Sequence, residues 1–184
     1  MTRKLRFIFH KSLDLHKIIW YNVYIYFRKK RRFIFMGYKI AIGSDHAGFG
    51  LKCEVMKWLR DNNIDFIELG CKDGASCDYP LVAKDVCEKV VSGEADKGIL
   101  ICGTGIGISI SANKIKGIRA ALCTDAYTAK YTRLHNDANV LCMGGRVTGA
   151  GVACEMVELF LNTEFEGGRH QRRVDLITDI ENSQ

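Results

Sequence analysis

The sequence predicts a three-layer α/β/α domain on a five-stranded parallel sheet, closed by a C-terminal helix. Three observations predict it: five short strand-like runs between residues 39 and 143, a segment of helical spacing after each, and one further helical segment at the end. Strands that alternate with helices are joined by crossovers, so the sheet is parallel and helices cover both its faces.

The first strand is "KIAIGS" (39–44), and the helical segment after it, Phe49 to Asn62, carries Leu51, Val55, Trp58 and Leu59 on one face. "DFIEL" (65–69) is the second strand, with helical spacing from Tyr79 to Val91 behind it. "GILIC" (98–102) leads into a helix from Gly107 to Ile115, and "IRAALC" (118–123) into one from Asp125 to Leu134. The fifth strand, "ANVLCM" (138–143), precedes a helix from Thr148 to Leu161, and a last helix runs from about Arg169 to Ile180. Right-handed crossovers make the arrangement Rossmann-like. Ligands of such sheets bind at the carboxyl ends of strands, beside a topological switch point. The stretches to search are therefore "SDHAG", "CGTGIG", "TDAY" and "GGR", after the first, third, fourth and fifth strands.

The net charge of +6 is unevenly spread. Residues 1–35 hold ten Lys/Arg against one acidic residue, Asp14, leaving seventeen basic and twenty acidic residues in the remainder. All eighteen glycines, all eight cysteines and the one proline, Pro80, follow residue 35, whereas half of the aromatics precede it. Such a leader suits a targeting peptide, a membrane-surface helix or an RNA-binding arm. Its longest apolar run, Ile18 to Phe27 with Asn22 inside, is too short to span a bilayer. No small-residue cleavage site follows, and "RKKRR" lies on its C-terminal side, unlike a secretory signal. We read it as upstream sequence outside the domain, with Met36 the natural start, because "MGYKIAIGSDHAG" enters a strand at once. The domain, 36–184, has neither repeats nor low-complexity linkers. Its mildly acidic balance argues against nucleic acid, and nothing in it suggests a membrane partner. The eight cysteines form no C-x-x-C pair and have no histidine at zinc-ligand spacing; several sit in apolar runs and read as small buried hydrophobes, and so many unpatterned thiols fit a reducing cytoplasm.

The stretch "GILICGTGIGISISANK" (98–114) places Cys102 directly before Gly103, Gly105 and Gly107. Glycines let backbone N–H groups approach an anion, and a following helix points its positive end there. Binding an anion needs no thiol, so the cysteine suggests chemistry. After the leader only His46, His135 and His170 remain. Any one alone is best read as a surface or helix-end residue, but all three lie beside Gly, Asp, Asn or Arg, which points to a shared polar site. "GTGIGIS" also invites a dinucleotide reading, with Asp125 as the ribose-binding acid. Against it, Ile108 stands where that fingerprint wants Gly or Ala, and Cys102 has no role in it.

Taken in order, "IAIGSDHAGF", "DYP", "GILICGTGIGISISANKIKGIRAAL", "RLHNDANVLCMGGR" and "FEGGRHQRRV" resemble the ribose-5-phosphate isomerase B family, which includes allose- and galactose-6-phosphate isomerases. The resemblance covers Lys39 to about Ile180. It implies an aldose–ketose isomerase that interconverts ribose 5-phosphate and ribulose 5-phosphate without metal or organic cofactor. It further implies that Cys102 is the base moving a proton between C1 and C2, and that His135 assists ring opening. Asp45, His46 and Asn136 match sugar-binding positions. Gly103, Thr104, Gly105, Ile106 and Gly107 match the loop holding the enediolate oxygen, and Arg146, Arg169 and Arg173 match phosphate-binding positions. A homodimer or homotetramer with shared active sites is implied as well.

The residues themselves agree with those roles. An enediolate needs fixed donors, which loop N–H groups supply, and a thiolate is favoured near a helix N-terminus or cationic groups. Thr104 suits a hydrogen bond near the thiol, or a plain turn. Arg169 and Arg173 are one helical turn apart, so both can face one phosphate. Apolar Val174, Ile177 and Ile180 on the same helix would dock on a partner chain. Three rivals remain at this level: a six-carbon sugar-phosphate isomerase, a nicotinamide-dependent oxidoreductase and a sugar-phosphate-sensing module.

Overall fold

The computed structural model describes residues 37–183. The leader, 1–35, and its boundary at Met36 lie outside the described residues. Five strands form one parallel sheet: β1 (Lys39–Ser44), β2 (Asp65–Gly70), β3 (Lys97–Cys102), β4 (Ala120–Leu122) and β5 (Val140–Gly144). The helices are α1 (Phe49–Asp61), α2 (Tyr79–Val91), α3 (Ile106–Ala112), α4 (Ala126–Asn136), α5 (Ala150–Asn162) and α6 (Arg169–Asn182).

Strand order is β2-β1-β3-β5-β4. From β1 the chain moves outward to β2, then returns past β1 to β3, so the winding reverses between β1 and β3. Right-handed crossovers therefore place α1 and α4 on one face and α2 and α3 on the other. The packing agrees: α2 lies on α3, while α5 lies against both α1 and α4. One core joins Ala41, Leu100, Cys102, Val140 and Cys142 of the sheet to Val82, Val86 and Cys87 of α2 and Ile108 and Ala112 of α3. Ile40, Ile42, Ile99, Ile101, Leu141 and Met143 alternate with those strand residues, are fully buried and face the other layer.

Two local features were not visible from apolar spacing. The fourth strand is three residues rather than six, and α3 ends at Ala112 rather than Ile115. Asn113 sets the helix limit, and Asn139 Oδ1 takes the Arg119 N–H at 2.8 Å just before β4. The Asn113 amide donates to Ser109 O at 3.0 Å and Ala120 O at 2.8 Å and accepts from Ala120 N at 2.9 Å. It closes the helix and takes the pairing place of a neighbouring strand at the start of β4. On α1, Lys52 is fully buried, and Trp58, expected on the apolar face, is only partly buried. The Lys52 ammonium meets Glu68 Oε1 at 2.8 Å and also donates to the Cys71 carbonyl, tying α1 to the segment that leaves β2.

Candidate active site

The reversal between β1 and β3 opens a crevice at their carboxyl ends. Cys102 is the last residue of β3, pairs in register with Gly144 of β5 and is 5% exposed. Its Sγ accepts the Gly105 N–H at 3.1 Å. That bond requires the backbone to fold back on the thiol, and Gly105 does so at φ +79°. A β-carbon at Gly105 would stand 2.5 Å from Leu122 Cδ1 and 2.8 Å from the Met143 carbonyl carbon. Two residues on, a β-carbon at Gly107 would stand 2.7 Å from the Tyr79 ring, so that ring lies on the loop. Thr104 is exposed, and its Oγ1 meets the Ile106 N–H at 3.4 Å; it shapes the turn.

The neighbouring strand ends complete this cluster. Asp45 donates its N–H to Ile101 O at 3.2 Å, is 6% exposed, and accepts the Gly48 N–H at 2.9 Å, which fixes its carboxylate beside exposed His46. After β5, Gly145 N donates to Cys102 O at 2.8 Å and Arg146 N to Gly103 O at 3.0 Å. The Arg146 side chain lies against Gly103, with Cδ 3.7 Å from where a β-carbon there would be. A cation thus borders the loop that follows the thiol. Asp125 is not free to hold a ribose: it caps α4, accepting Thr128 N–H at 2.8 Å, and that bond holds its carboxyl below the usual range. Ile108 is fully buried in the core.

The second cluster lies elsewhere. His135 sits on the last turn of α4, its ring stacked on that of His170 with centroids 4.1 Å and planes 5° apart. Tyr131 packs edge-on to His135 at 5.0 Å, and Tyr127 stacks on Tyr131 at 4.1 Å. Glu166 Oε2 lies 3.8 Å from His135 Nε2 and 3.5 Å from His170 Nε2, and Glu166 N donates to Leu134 O at 3.1 Å. Arg169 Nε donates to His170 Nε2 at 3.3 Å. Burial, then the neighbouring His135 and Arg169, hold the His170 imidazole below its ordinary pKa, with Glu166 opposing. Arg169, Arg173 and Asn136 are exposed beside this cluster.

The two clusters occupy opposite ends of the sheet. A helix that follows a parallel strand returns the chain to the amino end, so α4 carries His135 away from the carboxyl end. From Val140 to Gly144, the register partner of Cys102, is a rise of roughly 13 Å. Within one chain, therefore, the structure corrects the expectation of one polar site with three histidines. His46 stands with Cys102, whereas His135 stands with His170. Spacing along the chain showed no metal-type histidine pair, yet folding brings His135, Glu166 and His170 together. Tyr79 and Glu166 were not read from the sequence. The helical spacing of Tyr127, Tyr131 and His135 was the available signal for the aromatic row, and Glu166 had none beyond its place one turn before His170.

A parallel sheet presenting a thiol against a glycine loop, with a histidine on α4 and a histidine and arginines on α6, is an α/β domain equipped for acid–base chemistry on an anionic substrate. Residues 40–177 match the model of the ribose/galactose isomerase family, and the chain belongs to that family. It is 50% identical over 143 residues to the ribose-5-phosphate isomerase B of Escherichia coli, a match covering 78% of this chain and 96% of that one. Among solved structures, a Clostridium thermocellum ribose-5-phosphate isomerase B superimposes with TM-score 0.78 at 50% identity, over 79% of this chain and 98% of that one. The Mycoplasma genitalium ribose-5-phosphate isomerase B, solved with bound ribulose-5-phosphate, gives 0.75 at 42% identity, over 79% and 97%.

Proposed function

We propose that the chain interconverts ribose 5-phosphate and ribulose 5-phosphate by proton transfer through an enediolate. The observation that carries this reading is the Cys102 thiol, buried at a strand end and held by the Gly105 N–H at 3.1 Å. Cys102 as thiolate takes the proton from C2 and returns it to C1, while the hydroxyl proton of O2 passes to O1, so that C2 becomes the carbonyl. The negative charge develops on the carbonyl oxygen, and N–H groups of the Gly103–Gly107 loop stabilise it there, apart from those of Gly105, which holds the thiol, and Ile106, which meets Thr104. Electrons stay within the substrate, so the reaction calls for no redox partner. His135 donates the proton that opens the furanose ring. Asp45, His46 and Asn136 bind sugar hydroxyls, and Arg146, Arg169 and Arg173 bind the phosphate, where fork geometry suits the oxygens.

These roles need both clusters at one substrate, and one chain holds them roughly a sheet's height apart. A second copy therefore completes each site, bringing its His135, Arg169 and Arg173 to the Cys102 of the first. The surface supports a partner of this kind. Ile106, Ile110, Leu122 and Tyr127 are exposed near the carboxyl end of β4, and Leu176, Ile177 and Ile180 are exposed on α6. No helix among the described residues is long and apolar enough to cross a membrane, and the eight free thiols fit a reducing cytoplasm.

Turnover in D₂O without added cofactor tests the chemistry. A cysteine base shares its proton with solvent, so the product carries deuterium on carbon. Cys102→Ala lowers kcat by roughly 10²–10⁴, the usual contribution of a positioned general base, with a much smaller change in KM. Wild-type rates in Cys102→Ala would remove the thiol from the mechanism. Assaying ribose, allose and galactose phosphates side by side fixes the carbon number.

A further inference from the structure

We propose that His135, Glu166 and His170 form a binding site for a borderline divalent cation of the zinc type, and that filling it inhibits the enzyme. The binding claim is independent of the isomerase reading, whereas the inhibition claim rests on the role given to His135.

The geometry is close to what such an ion requires. Bonds of about 2.0–2.2 Å in a tetrahedron place ligand atoms roughly 3.3–3.5 Å apart. Glu166 Oε2 is 3.5 Å from His170 Nε2 and 3.8 Å from His135 Nε2, and the three atoms all lie within 4.8 Å of one another. Both Nε2 atoms lie near the same carboxylate oxygen, and because the rings are stacked with planes 5° apart, each must turn out of the stack to aim its lone pair at one ion. Two imidazoles and one carboxylate, with a fourth position open to water, suit Zn²⁺ or Co²⁺ better than the oxygen-seeking Mg²⁺ and Ca²⁺.

The segments that carry the ligands are also held together before any ion arrives. The Glu166 N–H bonds to Leu134 O at 3.1 Å, which fixes the carboxylate's segment against the residue preceding His135. His170 is 6% exposed, which keeps its ring beside Glu166. Its Nε2 accepts from Arg169 at 3.3 Å and so already carries a lone pair, the form a metal needs. Arg169 is exposed and can swing clear. Arg169 and Arg173 repel a cation here, and the Glu166 carboxylate offsets part of that charge. A bound ion engages His135 Nε2, and a metallated Nε2 has no proton to give to a ring oxygen.

Cobalt(II) titration of the reduced, metal-free full chain tests the binding. The visible ligand-field bands of a tetrahedral site should grow to one equivalent per chain and vanish when Zn²⁺ is added. Glu166→Gln, at an exposed position, should weaken binding about tenfold or more, as should His170→Ala. Equal affinity in both variants, or spectra showing only sulfur-to-cobalt charge transfer, would overturn the site. Turnover of ribose 5-phosphate should fall in step with occupancy and return with a chelator. Full occupancy with undiminished turnover would overturn the inhibition. A metal-free protein inactive on every sugar phosphate would count against the isomerase reading and leave the metal site standing.

Discussion

Gly105 shows how closely chemistry and backbone are joined at the residue scale. Its positive φ turns the N–H onto Cys102 Sγ, and Leu122 and Met143 fill the space a side chain would need. Gly105→Ala is therefore expected to cost about 1–3 kcal/mol of stability from backbone strain and contact, and to lower turnover further through the displaced donor. Thermal unfolding and kcat check both; a stable, fully active variant would contradict the geometry. Buried thiols supply a second expectation. Burial pushes Cys87 up to about 12 and Cys123 up to about 11, and Cys142 is raised as well. The unfolded chain loses these protons near its ordinary thiol range while the native chain keeps them. Stability is thus full below about pH 8.5 and falls as pH rises towards 11–12, by up to ~1.4 kcal/mol per unit for each thiol. Urea unfolding across pH 8–11 should show that fall, and Cys142→Ala should make it shallower.

At the scale of elements, the strands were legible because each is a short apolar run, and observed and expected bounds differ by three residues or fewer at each end. The exceptions have side-chain causes. Asn113 ended α3, and Asn139 holds Arg119 just before β4, through hydrogen bonds that no periodicity records. Lys52 was unreadable as a core residue because its partners, Glu68 and the Cys71 carbonyl, lie on another element. Lys52→Met keeps the length but leaves a carboxylate and a carbonyl unpartnered. Since Glu68 is one-third exposed, the expected loss is about 1–3 kcal/mol, read as a lower urea midpoint. An unchanged midpoint would mean that packing alone holds α1 to the segment after β2.

At the scale of the molecule, the candidate residues were legible as motifs and their division was not. Cys102 ends a strand and His135 ends a helix, and the β/α alternation already implies opposite ends of the sheet. The motifs alone do not show that consequence, because a motif records residues and not the direction of the element that carries them; active sites shared between chains enter only as what the family resemblance implies. The break in composition at residue 35 predicts that a chain beginning at Met36 keeps its unfolding midpoint and its turnover; a large loss of either would give residues 1–35 a structural role.

Mixing two inactive variants tests the central claim, that two chains complete each site, most directly. Cys102→Ala disables the carboxyl-end half and Arg173→Ala the amino-end half, and each homodimer should be nearly inactive. After subunit exchange at equal amounts, half the dimers are mixed, and each mixed dimer holds one site with both halves intact. Recovery of about a quarter of wild-type turnover is the expected result. Mixed dimers demonstrated by mass, with no turnover above that of the separate variants, would contradict it.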